Sequence, residues 1–169
     1  NGMILGLNGM QFSYASEVGR GTIEVITGPR HDLIQLAKDH EAAVARLVEA
    51  AAKHGARVLG LGVQPVTVPS LALMTPKPRY SVLRDTIGDG WLTFTVTASD
   101  QTHVDVSAPE VIPMTNLCNL LSPVIIALCA NSGVVAGESA GVVSWREQAM
   151  GTIQPEYGLS LIHISEPTR

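Results

Sequence analysis

The sequence predicts an α+β fold in which an open sheet has one face on a hydrophobic core and the other face toward solvent. The strongest observation is Leu92–Ser107, where every second residue from Thr93 to Ser107 is polar and most of the intervening residues are apolar. This period of two is typical of a strand with one buried face. Two further segments, Leu33–His54 and Pro109–Ala130, carry apolar residues at helical spacing and predict long helices.

The first half of the chain predicts a strand, a helix and a second strand. β-Branched residues alternate around Glu24 in Thr22–Ile26, which is typical of a strand. The helix that follows has Asp32 as its expected N-cap and ends at Gly55. Arg57–Val63 is short and largely apolar, so we expect a second strand there.

Loops and turns separate the elements of the second half. Gln64–Pro78 contains four prolines and predicts a loop, because proline lacks the N–H group that regular structure needs. Arg79–Asp85 predicts a helical turn, and Gly88–Gly90 predicts a tight turn. Asn131–Gly141 predicts a glycine-rich loop.

Composition narrows the classes of function. Hydrophobic residues make up 46% of the 169 residues, which is enough for a folded core. The net charge is −4, no run of Lys or Arg occurs, and only 4% of residues are aromatic, so a nucleic-acid partner is not expected. Cys118 and Cys129 form neither a disulfide framework nor a four-ligand zinc site, so we expect a reducing, cytoplasmic setting.

Val111–Ala130 is the one segment apolar enough to suggest a membrane span. Polar residues and a proline interrupt it, so we expect a buried core helix and no membrane partner. Cys118 and Cys129 fall on nearly the same helix face, which favours buried packing for both. The interrupting residues are Asn116, Asn119, Ser122 and Pro123.

The last residues of the chain look foreign to the fold. Leu159–Arg169 resembles the in-frame translation of a transposase-type sequencing adapter, so residues 159–169 are expected to be a non-native tail. On this interpretation residues 1–158 are part of one domain, and the natural protein extends beyond both ends. His163 and Glu166 are therefore given no catalytic role.

Polar side chains on Leu92–Ser107 form the first candidate site. Gln101, His103 and Asp105 share one face of the predicted strand, in a row with about 7 Å between neighbours. An amide, an imidazole and a carboxylate in a row can hold a divalent cation or a phosphate-bearing ligand. A solvated strand face without function is the alternative.

Three other positions carry candidate chemistry. Glu24 would complete an oxygen-rich cation site beside Gln101, or would be an edge-strand glutamate in water. Arg79, followed by Tyr80, could clamp a carboxylate in bidentate fashion. Asn131–Ser132 and Arg146 could contact an anionic group, or could be a helix cap and a surface arginine.

These segments, taken together and in order, resemble the glutamate–cysteine ligases of the plant and bacterial type, within the carboxylate–amine ligase group. The resemblance covers residues 12 to 151. The matching segments are Glu17-x-Gly19-x-Gly21-x-x-Glu24, Thr27-Gly28-Pro29, Leu59-Gly60-Leu61-Gly62, Gln64-Pro65, Met74-x-Pro76-Lys77-x-Arg79-Tyr80, Thr97-Ala98-Ser99-x-Gln101-x-x-x-Asp105, Ala130-Asn131-Ser132, Gly137, Gly141 and Ser144-x-Arg146.

The resemblance implies a glutamine synthetase-like fold, with an open, mainly antiparallel sheet and helices on one face. It also implies a ligase of glutathione biosynthesis that uses ATP and Mg²⁺. In such enzymes ATP phosphorylates the γ-carboxylate of glutamate, and the amine of cysteine then displaces phosphate. The expected partners are therefore the small molecules glutamate, cysteine and ATP. Residues 1–158 would be a partial catalytic domain, and the chain alone is expected to be inactive.

The resemblance also implies roles for individual residues. Glu24, Gln101 and His103 would be metal ligands, and Gln101 and His103 would also contact the nucleotide. Arg79 and Arg146 would be catalytic, because arginines neutralise charge as it moves between phosphate oxygens. The residues expected to bind substrate are Arg79, Tyr80, Asn131, Ser132 and Arg146.

Two departures from the family pattern leave the amine acceptor open. His103 stands where the family often has asparagine, and Gly133 follows Ser132 where the family usually has proline. A related ligase with another amine acceptor is therefore the first alternative. A non-catalytic binding module of the same fold is the second. A metal-dependent hydrolase is the third, although the needed His/Asp cluster is missing from the sequence. The oligomeric state stays open.

Overall fold

The computed structural model describes residues 6–9 and 11–153, and these form an α+β fold, as predicted. Short 3₁₀ segments at Leu71–Leu73, Asp89–Thr95 and Ala108–Glu110 connect the longer elements. The strands and helices are β1 (Gly6–Asn8), β2 (Phe12–Ser16), β3 (Ile23–Thr27), α1 (Leu33–Lys53), α2 (Pro78–Ile87), α3 (Val111–Cys129), β4 (Val134–Val135), β5 (Glu138–Ser139) and α4 (Trp145–Ile153). The predicted tail at residues 159–169 lies outside the described residues.

The larger sheet is antiparallel, in the order β1-β2-β3, and α1 packs on it. The predicted strand at residues 22–26 is confirmed as β3, and β1 and β2 were not predicted. Ala15 of β2 pairs with Glu24 of β3, and Tyr14 pairs with Val25. The Tyr14 hydroxyl donates a hydrogen bond of 2.8 Å to the carbonyl of Ala43, which is fully buried in α1. This contact fixes the helix on the sheet.

Helix α1 confirms its prediction almost residue for residue. Asp32 is the N-cap, and its carboxylate accepts a 2.8 Å hydrogen bond from the Ile34 N–H. Inside the helix the buried Asp39 carboxylate accepts hydrogen bonds from Gln35, at 2.9 Å, and from Arg30, at 2.7 Å. The Gln35 hydrogen bond, with Arg30 beside it, lowers the pKa of Asp39 below its ordinary value of 3.8.

This lowered pKa predicts an acid-sensitive contact between α1 and the loop before it. The ionised Asp39 stabilises the folded state above pH 3.8, and that stabilisation is lost as the pH falls through the folded-state pKa. Asp39→Asn should therefore flatten the dependence of unfolding free energy on pH below about 5. Urea titrations at a series of pH values would measure this, with Glu41→Gln on the exposed side of α1 as the control. An unchanged slope in Asp39→Asn would contradict the prediction.

Two predicted strands are wrong. Residues 57–63 have no strand and make only a single bridge, from Val63 to Thr97. Residues 92–107 begin in the 3₁₀ segment Asp89–Thr95 and then continue without regular structure. The reason is local hydrogen bonding, because the Thr95 hydroxyl donates to the Leu92 carbonyl at 2.6 Å. Threonine side chains that bond nearby carbonyls offer the backbone an alternative to a strand ladder.

Some of the other predictions for the second half of the chain are confirmed. The loop at residues 64–78 is confirmed apart from the turn at Leu71–Leu73, and the helical turn at residues 79–85 is confirmed as α2. The glycine-rich loop contains the β4–β5 hairpin, whose turn has Ala136 and Gly137 at φ values of 52° and 84°. Helix α4 was not predicted.

A small hydrophobic core joins α2 to the 3₁₀ segment Asp89–Thr95. Its buried members come from the loop after β2, the loop before α2, α2 itself and the 3₁₀ segment, and they are Val18, Met74, Tyr80 and Trp91. The Trp91 ring lies 4.5 Å from the Phe94 ring and 6.3 Å from the Tyr80 ring, measured between centroids. The Tyr80 ring is therefore fixed in the core by its packing against Trp91.

Helix α3 forms where it was predicted, with Pro123 inside it, but its expected burial is wrong. None of its residues is buried, and Cys118 and Cys129 are both exposed. Within residues 6–9 and 11–153, Ala108–Cys129 is the one helix long and apolar enough to cross a membrane by length and composition. An apolar helix of this kind is expected to be buried, but no described residue packs over α3 closely enough to bury it.

Candidate functional site

The loop after β2 is joined to the segment before α2 by backbone hydrogen bonds. Gly19 forms an antiparallel bridge with Met74, and the Arg20 N–H donates to the Leu73 carbonyl at 2.8 Å. The Thr75 N–H donates to the Val18 carbonyl, also at 2.8 Å. These bonds bring the segment that contains Glu17 against the segment that leads into Arg79.

Gly19 is required for this junction. A Cβ atom at position 19 would lie 2.1 Å from the Thr95 backbone carbonyl oxygen, a distance that forces the backbone to move. Gly21, two residues later, has no atom within 4 Å of the corresponding position. The contrast shows that the close approach, and not the loop in general, requires glycine.

Gly19→Ala should therefore lower the free energy of unfolding by about 2 kcal/mol, the usual cost of overpacking. The measurement is urea unfolding followed by tryptophan fluorescence, since Trp91 lies in the adjacent core. Gly21→Ala is the matched control, and we expect it to leave the unfolding midpoint almost unchanged. Equal effects of the two substitutions would contradict the close approach at Gly19.

The Arg79 cluster, which we define as Glu17, Glu24, Lys77, Arg79 and Tyr80, lies at this junction. The Arg79 guanidinium donates a 3.0 Å hydrogen bond to the Tyr80 hydroxyl, and its carbon lies 4.8 Å from the Tyr80 ring centroid. The Lys77 ammonium lies 5.4 Å from the same centroid and donates a hydrogen bond to a β2 carbonyl. Tyr80 thus orders two cations by cation–π contact.

The electrostatic surroundings of Arg79 favour its charged form. The hydrogen bond to Tyr80 raises the pKa of Arg79, and the negative charges of Glu17 and Glu24 raise the pKa further. Arg79 is exposed and Tyr80 is 2% exposed, so the arginine can reach a ligand while the tyrosine supports it. An exposed, permanently charged and positioned guanidinium can bind a carboxylate or a phosphoryl group.

The Asn131 junction, which we define as Asn131, Ser132 and Arg146, is a second group. The Asn131 side chain accepts a 2.7 Å hydrogen bond from the Gly62 N–H and donates a 3.0 Å bond to the Gly60 carbonyl. The buried Ser132 hydroxyl accepts a 3.1 Å bond from the Arg146 backbone N–H. Asn131 and Ser132 therefore hold backbone segments in place, and Arg146 lies beside them in the first turn of α4.

The side chain of Arg146 is partly buried, and one of its donors is unpaired. Its Nε atom is inaccessible to water and has no hydrogen-bond partner among the described residues. The Nε atom of Arg84 is in the same state, although the Arg84 guanidinium bonds Asp85 and Asp89. The unpaired atom alone does not mark a ligand site, and anion binding by Arg146 stays a prediction.

Backbone contacts connect the two groups. Val63 bridges Thr97, the Gln64 N–H donates to the Val96 carbonyl at 2.8 Å, and the Ala98 N–H donates to the Gly62 carbonyl at 3.1 Å. Gly62 in turn contacts Asn131. The path from the Arg79 cluster to the Asn131 junction thus runs through residues 62–64 and 95–98.

An open cleft of about 490 Å³ lies next to the Asn131 junction. The 3₁₀ segment Asp89–Thr95, the β4–β5 hairpin and α4 form its walls. Its polar lining includes Thr93, Glu138 and Gln148, and Trp145 forms part of its apolar wall. The cleft adjoins the Asn131 junction, because Trp145 donates its backbone N–H to the Ser132 carbonyl.

Gln101, His103 and Asp105 do not form the predicted row. All three are exposed and lie in the irregular segment that replaces the predicted strand, so the spacing of about 7 Å along a strand does not apply. Among residues 6–9 and 11–153, no group of three or more His, Cys, Asp or Glu side chains lies together as a metal site would need. Metal binding by Glu24, Gln101 and His103 stays a prediction.

The donor set of the Arg79 cluster fits one kind of metal. Glu17 and Glu24 supply two carboxylates near one guanidinium. Mg²⁺ is usually bound by one or two carboxylates together with substrate phosphates and water, so the donor types of these two residues fit that ion. They do not suffice for a closed zinc site, which takes four protein ligands.

Sequence reasoning missed the contribution of Lys77. Lys77 belongs to the segment that ends in Tyr80, but the resemblance to the family assigns no role to it. Its neighbour Pro76 and the start of α2 at Pro78 place it one residue before the helix, where it is the N-cap position. The sequence did offer a signal for Lys77. It lies between two prolines and two residues before Arg79, and such a segment concentrates positive charge.

Comparison with known proteins identifies the family. The model of the glutamate–cysteine ligase family 2 matches residues 5–161 of the chain. A Thermobifida fusca protein named "Putative glutamate--cysteine ligase 2" is 31% identical over 139 residues, which are 81% of this chain and 34% of that protein. A Paenarthrobacter aurescens protein named "Putative glutamate--cysteine ligase 2-3" is 33% identical over 129 residues, which are 75% of this chain and 30% of that protein.

The chain thus spans about one third of the length of the curated relatives that it matches. The matched residues include both the Arg79 cluster and the Asn131 junction. The extent of the family match, from residue 5 to residue 161, covers nearly all of the chain. The chain belongs to the glutamate–cysteine ligase family 2.

Proposed function

We propose that this chain is part of a cytoplasmic ligase that joins the γ-carboxylate of glutamate to the amine of cysteine and consumes ATP. The observation that carries the proposal is the Arg79 cluster, where Tyr80 holds an exposed guanidinium beside Glu17 and Glu24. Family membership supports ligation as the reaction class. A carboxylate is a poor electrophile, so its conversion to an acyl phosphate is the step that needs ATP.

The residues of the Arg79 cluster have complementary tasks in this proposal. Arg79 binds the glutamate carboxylate, and it then neutralises charge on the phosphoryl oxygens as the acyl phosphate forms. Tyr80 keeps the guanidinium in place. Glu17 and Glu24 would hold Mg²⁺, which would supply positive charge to the phosphate oxygens of ATP. Lys77 adds a second cation next to Arg79.

The Asn131 junction supplies the second arginine of the proposed site. Ser132 holds the start of α4, where Arg146 lies, and Asn131 holds the backbone at Gly60 and Gly62. We assign Arg146 to the anionic group that Arg79 does not reach. Gln101 and His103 are exposed and free of a strand, and we assign them to the nucleotide and metal side of the complete site.

The complete fold is proposed to be glutamine synthetase-like, with the β1-β2-β3 sheet as a portion of a larger open antiparallel sheet. Two alternatives concern the reaction. A related ligase with a different amine acceptor remains open because Gly133 and His103 depart from the family pattern. A non-catalytic binding module of the same fold is the second alternative, and a measurement of turnover distinguishes it from a ligase.

The test measures ADP formation by the full-length protein encoded at the same locus, with this 169-residue chain assayed beside it. Glutamate and cysteine together with MgATP should give ADP, inorganic phosphate and a dipeptide in equal amounts. Replacement of cysteine by other small amines decides the acceptor. ADP formation with glutamate but only with another amine supports the first alternative, and MgATP binding without turnover supports the binding module. We expect the 169-residue chain alone to be inactive.

A further inference from the structure

Helix α3 presents an apolar face that no described residue covers. The helix has no charged residue from Val111 to Cys129. We define its open face as five large side chains at spacings of three, one, three and four residues, which place them on one side of a helix. They are Leu117, Leu120, Leu121, Val124 and Leu128. Leu120 and Leu128 are 75% and 80% exposed.

A second side of α3 faces the irregular segment that precedes the helix. The irregular segment that follows the 3₁₀ turn passes along it and leaves a groove of about 290 Å³. Val104 and Val106 of that segment line the groove together with Val111, Met114 and Cys118 of the helix. None of the five open-face residues lines this groove. One side of α3 therefore faces the irregular segment, and the open face points elsewhere.

We infer that the open face of α3 is covered by polypeptide that family members carry outside the third matched here. The relatives from Thermobifida fusca and Paenarthrobacter aurescens have 66% and 70% of their length outside the match, as the complements of 34% and 30%. A helix with so wide an apolar surface is stable only when it is buried. The covering surface is itself apolar and uncharged, because α3 offers no ionic partner.

A lipid bilayer fits the open face less well than polypeptide does. Helices that anchor in membranes carry Lys or Arg near their ends, where these side chains meet lipid head groups. No Lys or Arg occurs in residues 85–145, and Glu110 immediately precedes α3. Asn116, Asn119 and Pro123 further interrupt the helix.

A second copy of the chain also fits less well. Paired helices usually fix their register and partner through charged residues that flank the apolar seam. Helix α3 has no charged residues, so a symmetric pair would lack this means of setting its register. A segment of the same polypeptide needs no flanking charges, because the fold itself sets how that segment packs on α3.

The experiment compares thiol labelling in two proteins, this chain and the full-length protein encoded at the same locus. Leu120→Cys is introduced in both, with Cys118 and Cys129 replaced by serine. Glu49→Cys is the matched control, because Glu49 lies on the outer side of α1 and its side chain is 68% exposed. The rate of maleimide labelling is measured under native conditions and again in urea.

We expect both positions to label at similar rates in this chain. In the full-length protein, labelling at position 120 should be slower by about a hundredfold or more, because it requires local unfolding, whereas position 49 should be unchanged. Urea should abolish the difference. Hydrogen exchange of the α3 backbone amides in the unmodified proteins gives a second readout that does not depend on the substitutions.

Several results would overturn the inference. Equal labelling at both positions in the full-length protein would show that α3 stays uncovered. Protection in this chain that disappears on dilution would show a second copy as the occupant. Protection that appears only with phospholipid vesicles would show a bilayer. A reading frame that ends at the boundaries of this chain would remove the proposed occupant. None of these readouts depends on ligase activity.

Discussion

Arg79→Ala is expected to reduce glutamate-dependent ADP formation by the full-length ligase by about a hundredfold or more. The guanidinium is exposed, and it is positioned by a 3.0 Å hydrogen bond and by the Tyr80 ring. Alanine removes both the carboxylate clamp and the positive charge that the transition state needs. The measurement is kcat and KM for glutamate at saturating MgATP.

Arg79→Lys separates geometry from charge in the same assay. Lysine keeps the charge but loses the planar, bidentate donor arrangement, so most of the loss should persist. Arg57→Lys is the control, because Arg57 is exposed in the irregular segment after α1 and belongs to neither cluster. Full activity of Arg79→Ala would remove Arg79 from the proposed site while leaving family membership untouched.

Tyr80→Ala is expected to lower the free energy of unfolding by about 3–5 kcal/mol, the usual cost of truncating a buried aromatic side chain. Tyr80 is 2% exposed and lies in the core with Trp91, Met74 and Val18. The loss of the ring also removes the surface on which the Arg79 and Lys77 cations lie. Urea unfolding of this chain, followed by tryptophan fluorescence, measures the change.

Tyr80→Phe divides the two roles of the tyrosine. Phenylalanine keeps the aromatic packing, so the unfolding free energy should change by no more than about 1.5 kcal/mol. The hydrogen bond to Arg79 is lost, so KM for glutamate should rise in the full-length enzyme while the fold is retained. A Tyr80→Phe variant as unstable as Tyr80→Ala would show that the hydroxyl, and not the ring, stabilises the core.

Local signals explain which elements the sequence predicts well. Helix α1 has an N-cap at Asp32 and a long amphipathic pattern, and both act through neighbouring residues alone. Helix α2 begins with a proline and ends at Gly88, whose φ of 85° suits glycine. Strand β3 is short but strongly β-branched. Each of these elements is specified within its own segment.

The segment Leu92–Ser107 shows where local signals fail. Its alternation is strong, yet a strand also needs a partner that runs beside it for several residues. Among the residues that the structure describes, only 62–64 make such contacts, and they meet residues 96–98. Thr95 instead bonds the Leu92 carbonyl and closes a 3₁₀ turn. Because the strand does not form, Gln101, His103 and Asp105 do not form the predicted row.

The amino-acid sequence by itself determined the α+β class, helices α1 to α3, strand β3 and the ligase family, whereas the roles of Glu24, Arg79 and Asn131 stay predictions. Only the tertiary structure decided that Arg79 lies on Tyr80 near Glu17 and Glu24, because that arrangement depends on hydrogen bonds between the loop at 17–20 and the segment at 73–75. Only the tertiary structure likewise decided that α3 is left open, since burial depends on what packs against a helix and not on the helix alone.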